Sequence, residues 1–433
     1  MKTFKNWSGL KTFFTLWITQ TFSSLGSAMT SYALVIWSYT QHGSALATAL
    51  LMVCSYAPYV LLSLFAGALS DRWNKKKTLL ICDACAAVTT LCVLWLYHNQ
   101  ALQIWHLYVL NAIGGVMNTV QQPASEVAVT AVLPKEHYQK VGGLRYFGNA
   151  CTSILTPVLA TALLGLAGLE LVIWFDLFTF AVAFVVLLVG IRIPEPPREE
   201  KEDFWPSVRG GLAYLKANRG IFDLMLFLAA INLVASMYNA ALPAMLLSRN
   251  GGSERALGTV NAVTGISMLI GSVVASLMKT PKSRVQVICN TLLISMSTEN
   301  ACLAFGHSLP VWCVGGFLGW IVIPTMNANL DALMRLHIPI EIQGRVFAAR
   351  NSFQFFTIPL GYVLGGWAVD SVFEPLMARQ SEADFLVRLF GSGKGSGAAC
   401  FFALLAGMGV LVCLLFRRDP HIWRLEQSKD ISG

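Results

Sequence analysis

Twelve apolar runs follow one another along this 433-residue chain, with only short charged stretches between them. They cover roughly residues 13–37, 45–69, 78–97, 104–127, 141–166, 169–191, 222–247, 257–278, 285–305, 311–333, 346–369 and 398–416. About 20 apolar residues make a helix that crosses the hydrocarbon core of a bilayer. Hydrocarbon offers the backbone no hydrogen-bond partner, so each run is expected to be helical. Charged residues are 12% of the chain, against roughly a quarter in a soluble domain. The expected class is an all-α integral membrane protein with twelve transmembrane helices. The first run is too long for the apolar core of a signal peptide and has no clear small-residue cleavage site, so it is read as a retained span.

Lysine and arginine placement orients these spans. With both termini cytoplasmic, 26 of the 31 fall on cytoplasmic segments, and the exceptions are Arg249, Arg255, Arg379, Arg388 and Lys394. Such asymmetry is the usual sign of topology. The net charge of +8 therefore reflects membrane orientation and no nucleic-acid partner is expected. Residues 192–220 open with Arg-Ile-Pro-Glu-Pro-Pro-Arg-Glu-Glu-Lys-Glu-Asp and read as a cytoplasmic linker. Phe204, Trp205, Val208, Leu212 and Leu215 recur there at the spacing of a short amphipathic surface helix. The outer segment 370–397 ends in a Gly-Ser-rich tract expected to be flexible.

An internal repeat crosses the linker. Lys-Thr-Leu-Leu-Ile-Cys-Asp83 aligns with Arg-Val-Gln-Val-Ile-Cys-Asn290, and Glu126, Pro134, Glu136, Lys140 and Arg145 align in order with Asp331, Pro339, Glu341, Arg345 and Arg350. The expected organisation is two pseudo-symmetric six-helix bundles, residues 1–191 and 221–433, the second carrying a cytoplasmic tail.

The most specific motif lies between the second and third runs, Gly67-Ala-Leu-Ser-Asp71-Arg72-Trp-Asn-Lys75-Lys76-Lys77. Glycine permits two helices to approach closely at the turn, and the cations hold it at the cytoplasmic face. Gly67, Leu69, Asp71, Arg72, Lys75 and Lys76 match the signature loop of the major facilitator superfamily, G-x-L-x-D-R-x-x-(R/K)-(R/K). The beginning of the chain (Asn6-Trp7, Gln20 to Met29, Gly43-Ser44-Ala45) resembles the branch of macrolide-efflux and related drug or siderophore exporters. The resemblance implies the major facilitator fold and a cytoplasmic latch. In that latch Asp71 meets cations at the start of the eleventh span, with Arg345 and Arg350 in place, while Glu126 takes up Arg72. Asp331 stands near the same end.

Polar residues within spans are expected to face inward, since lipid leaves them without partners. Gln20, Ser24, Ser27 and Ser31 share one face of the first span. Asn111, Asn118 and Gln122 mark the fourth span, Asn232, Ser236 and Asn239 the seventh, Asn261 and Thr264 the eighth, and Asn327 and Asp331 the tenth. Tyr56, Tyr59, Trp320, Phe355 and Phe356 are candidate aromatic walls for a large apolar ligand. The ionisable groups available for proton coupling are Asp83, His106, Asp176, Glu299 and Asp331. In the resembled fold the third, sixth and ninth helices are peripheral, which counts against Asp83, Asp176 and Glu299. Glu299 stands about 22 Å along its helix from Arg284, towards the outer leaflet. Pro157 and Pro359, with Gly165, Gly361, Gly365 and Gly366, are candidate bending points. The exporters' Gly-Pro pair on the fifth helix is here Thr156-Pro157.

All ten cysteines, the Cys82-Asp-Ala-Cys85 pair included, fall inside apolar runs, where cysteine behaves as a small hydrophobe. No hydrolytic constellation, phosphate-cradling loop or metal cluster is visible, so no enzyme activity, cofactor or metal is expected. The resemblance implies a secondary transporter of a bacterial inner membrane, working as a monomer. It would export an amphipathic or hydrophobic small molecule, drug- or macrolide-like, in exchange for protons by alternating access. A siderophore or lysophospholipid carrier is the nearest alternative, and a non-transporting sensor of the same fold a more distant one.

Overall fold

The computed structural model describes residues 2–72, 74–132, 138–190, 213–249, 252–338, 343–381 and 383–427; side chains of 2–13, 63–72 and several other helix ends lie outside the description. Within these limits the chain is helical. Its elements are α1 (Lys2–His42), α2 (Ala45–Arg72), α3 (Lys75–His98), α4 (Ile104–Val132), α5 (Tyr138–Val185), α6 (Arg219–Ser248), α7 (Glu254–Leu277) and α8 (Arg284–Phe305). There follow α9 (Leu309–Ile321), α10 (Ile323–His337), α11 (Gln343–Ala368), α12 (Glu374–Ala378), α13 (Phe385–Phe390), α14 (Ser396–Arg417) and α15 (Pro420–Gln427). Single π-turns extend α5 and α11, over Val186–Gly190 and Val369–Phe373.

Nine stretches among the described residues are long and apolar enough to cross a membrane. One of them, Gly148–Gly190, contains both the fifth and sixth runs. Ala167 (φ −146°, ψ 21°) and Gly168 (φ 73°, ψ −166°) break α5 between those two runs. The left-handed φ at position 168 suits glycine, which has no Cβ to oppose it. Another stretch, Leu309–Met334, joins α9 to α10 across Val322. The first and fourth runs form α1 and α4 but do not reach the hydropathy of the nine. Their polar stripes are the reason. Leu61, Leu166, Val189, Leu277 and Leu415 are each more than half exposed. Exposed aliphatic surface of this extent belongs against lipid tails.

The chain forms two compact units. One comprises residues 1–38 and 54–201, the other residues 39–53 and 202–433. In the first, α3 packs on α4 and on α5. In the second, α6 lies along α11, α14 along α8, and α9 against both α7 and α8. Glycines allow the close crossing of α6 and α11. A Cβ at Gly361 would stand 2.6 Å from the Leu233 carbonyl oxygen, and one at Gly365 2.7 Å from the Met237 Cα. Backbone contact of this kind replaces the hydrophobic effect as the packing force in lipid. Gly361 and Gly365, singled out as candidate bending points, thus sit at a tight helix crossing.

The segment 370–397, expected to be flexible, is folded against its unit. Glu374 accepts hydrogen bonds from the backbone N–H groups of Gly395 (3.0 Å) and Ala398 (3.2 Å) at the start of α14. Asp370 accepts from Ser44 Oγ (2.6 Å), Ala45 N (2.9 Å) and Leu46 N (2.9 Å) at the start of α2. Two acids one helical turn apart therefore cap two helix N-termini, where free N–H groups and the helix dipole favour negative charge.

Arg249, an exception to the charge asymmetry, is 5% exposed. Its guanidinium donates to the carbonyls of Leu303 (2.9 Å) and Phe390 (2.9 Å) and lies 6.0 Å from the Trp312 ring centre. Burial pushes its pKa down to about 10, still leaving it charged at neutral pH. One cation thus gathers the end of α8 and the end of α13. Replacing Arg249 by Ala is expected to cost about 3 kcal/mol, as for breaking a buried charged network. Arg249→Lys should recover only part of this, since a point ammonium cannot span the same carbonyls; thermal unfolding of the purified protein in detergent measures both.

Candidate functional site

Two internal cavities collect polar side chains, one in each unit. The first has a volume of about 370 Å³ and is lined from α1, α3, α4 and the second arm of α5. Gln20, Ser24, Ser27 and Ser31 all stand on its wall, together with Asn111 and Asn118. Gly26 brings α1 and α5 together, since a Cβ there would be 2.9 Å from the Asp176 Cα. That approach puts Asp176 within reach of Ser27 Oγ, which donates to it at 3.0 Å, and of Thr90 Oγ1 at 3.5 Å. Asp83 enters the same cavity from α3 and accepts from Gln121 Nε2 at 2.6 Å.

The second cavity, about 210 Å³, lies among α6, α8, α9 and α10. Asn232, Trp320 and Asn327 line it, with Tyr238, Ser295 and Glu299. Glu299 is 3% exposed. Trp320 Nε1 donates to Glu299 Oε1 at 2.8 Å, and the Tyr238 hydroxyl donates to the same carboxylate. Gly319 makes the space, for a Cβ there would meet Glu299 Oε2 at 2.8 Å. Glu299 therefore turns towards neighbouring helices.

Asp83 and Asp176 line the cavity within the first unit and Glu299 the one within the second. A peripheral helix still has an inner face, and each acid lies on it, held by neutral donors. The other two ionisable candidates differ. His106 accepts from Gln103 N (3.1 Å) and stacks on Trp105 at the start of α4. Asp331 is on the exposed side of α10.

Several candidate residues lie outside both cavities. Gln122 is exposed, and its neighbour Gln121 takes the inward position. Ser236 is buried at the α6–α11 crossing, where a Cβ on Gly361 would touch it at 2.6 Å. Asn239 donates to Ala235 O on its own helix (2.9 Å) and Thr264 to Val260 O (3.0 Å). Such back-bonding satisfies a polar side chain without any partner helix. Tyr56, Tyr59, Asn261, Phe355 and Phe356 line neither cavity.

Most of the latch falls outside the described residues, namely the side chains of Gly67, Asp71, Arg72, Glu126, Arg345 and Arg350; the linker residues 192–212 do too. After the signature turn, Asn74 caps α3 by accepting from Lys77 N (3.0 Å). Lys75 is buried, and Lys76 Nζ donates to Leu188 O at 2.9 Å. Sequence reasoning missed Gln121, Thr90, Ser295 and Tyr238. Asp83 and Thr90 stand seven residues apart on one helical face, a signal that was available; nothing in the chain marks Tyr238 as the partner of Glu299.

The family model of the Major Facilitator Superfamily matches residues 16–298. The chain belongs to that superfamily. It is similar to macrolide efflux protein A of Streptococcus pyogenes, 24% identical over 380 residues that cover 86% of this chain and 92% of the relative. The protein of that name from Enterococcus faecalis is 24% identical over 327 residues, covering 74% and 99%. Among solved structures, the nucleoside transporter NupG superposes with a TM-score of 0.71 at 15% identity over 94% of this chain and 99% of that one. The POT family transporter PepTSo gives 0.71 at 12% identity over 98% and 99%. These likenesses establish the major facilitator fold. The chain is a multi-pass membrane transporter of that superfamily.

Removing the indole donor to Glu299 by Trp320→Phe is expected to destabilise the protein by about 2 kcal/mol, because it leaves a buried carboxyl oxygen short of a hydrogen bond. The same change in a Glu299→Gln background should cost less. A double-mutant cycle on thermal unfolding at pH 8 reads the difference.

Proposed function

We propose that this transporter exports an amphipathic or hydrophobic small molecule of macrolide type in exchange for protons. It works as a monomer in the bacterial inner membrane, with both termini cytoplasmic. The observation that carries the reading is the match to macrolide efflux proteins along most of both chains. The halves 1–191 and 221–433 alternate the access of a substrate between the two faces, and the signature loop with Glu126, Asp331, Arg345 and Arg350 latches the cytoplasmic side. Ion pairs in such a latch bias a conformational equilibrium.

Glu299 is the carboxylate best suited to carry the proton. It is buried in a membrane-spanning helix, and its donors Trp320 and Tyr238 are neutral. An intramembrane acid without a cationic partner is by default a candidate for a proton pathway. Asp83 and Asp176 have neutral donors too, and they share the cavity of the first unit.

Inverted vesicles energised to drive export inward should accumulate a radiolabelled macrolide, and an uncoupler should abolish the accumulation. Glu299→Gln should reduce active uptake to the uncoupled background while leaving counterflow of labelled for unlabelled drug intact. Asp71→Asn should slow both. Absence of macrolide uptake by the wild type would turn the search to siderophores and lysophospholipids.

A further inference from the structure

A side-chain cluster at the start of α6 has no part in the transport reading. Asp223, one turn into α6, meets Asp419 and His421 at the start of the C-terminal helix α15, with one ligand atom of each within 4.8 Å of the others. His421 Nδ1 lies 3.3 Å from Asp223 Oδ2 and 3.3 Å from Asp419 Oδ1. Asp223 is 5% exposed, and its Oδ2 is buried without a hydrogen bond. Its other oxygen faces Arg219 Nε at 3.6 Å, so Oδ2 alone is turned towards the cluster.

We propose that Asp223, Asp419 and His421 form a binding site for a divalent transition-metal ion of the zinc class, which fastens α15 to the start of α6. Three observations support it. First, two carboxylates and one imidazole are a suitable donor set, with the imidazole favouring zinc-like ions over calcium or magnesium. Second, ligand atoms at about 2.1 Å around a tetrahedral ion stand roughly 3.4 Å apart, close to both separations from His421 Nδ1. Third, a single imidazole N–H points along one line and leaves one of two equidistant carboxylates unserved, as the unbonded Asp223 Oδ2 shows. A cation at the centre of the three would serve them all. The ligand atoms of the two carboxylates lie within 4.8 Å of each other.

The surroundings hold the site in place without the metal. Asp419 Oδ1 accepts from His421 N at 2.8 Å, which sets the turn into α15. A Cβ on Gly220 would stand 2.5 Å from the His421 carbonyl oxygen, so glycine is what admits α15 against α6. Ile422 is fully buried, and Glu426 Oε1 accepts from Val285 N at 2.7 Å, capping α8. The tail helix thus touches the starts of α6 and α8, and the ion adds a third fastening.

The test uses the full-length protein purified in detergent, stripped with EDTA and with its cysteines blocked by N-ethylmaleimide. Zn²⁺ binding by equilibrium dialysis should give one site per chain, and His421→Ala and Asp419→Asn should each weaken it by at least roughly tenfold, the smallest loss seen even for outer-shell partners of a metal. These two positions lie outside the buried core of α6, so their variants keep the fold testable. Zn²⁺ should also slow tryptic cleavage at the exposed Arg424 in wild type but not in His421→Ala. Equal Zn²⁺ affinity in wild type and variants would overturn the proposal. Cleavage at Arg424 that Zn²⁺ does not slow in wild type would overturn it as well.

Discussion

In hydrocarbon no polar group has water to fall back on, and this constraint shapes the whole molecule. It makes every span a helix, because only a helix satisfies its own backbone. It also removes the hydrophobic force between helices, so association rests on close contact and on polar groups that find each other. Gly26, Gly319, Gly361 and Gly365 serve the first requirement, at places where a Cβ would meet a neighbour within 3 Å. Gly26 and Gly319 also serve the second, for they bring Asp176 beside Ser27 and make room for Glu299 beside Trp320.

Asp83, Asp176 and Glu299 follow one rule. Each lies on the inner face of its helix, and each is met by neutral donors: amide for Asp83, hydroxyl for Asp176, indole and phenol for Glu299. An arginine partner would lock such a group in its charged form. Neutral donors leave both protonation states within reach.

Charged groups at the helix ends behave differently. Asp370 and Glu374 spend their charge on the N-termini of α2 and α14, and Arg249 spends its own on carbonyls at the ends of α8 and α13. These are fixed structural pairings of charge with backbone dipoles. They give the segment 370–397 a defined conformation despite its glycine-rich composition, because Gly391, Gly393 and Gly395 all adopt left-handed φ values that only such turns demand.

The sequence by itself determined that the apolar runs are helical membrane spans and, through Gly67 to Lys77, the superfamily. Both depend on local chemistry, either length against bilayer thickness or residue type at fixed spacing. The polar face of α1 was legible for the same reason, since a period of 3.6 residues places Gln20, Ser24, Ser27 and Ser31 together. Only the tertiary structure decided what stands opposite that face. Periodicity cannot tell that Glu299 meets Tyr238, 61 positions earlier, or that Gln121 and not Gln122 turns to Asp83. It cannot tell that Asp223 meets His421, nearly two hundred positions away. A helix's sequence specifies which of its sides is polar, whereas helix crossings, set by where glycine lets backbones touch, choose the partner.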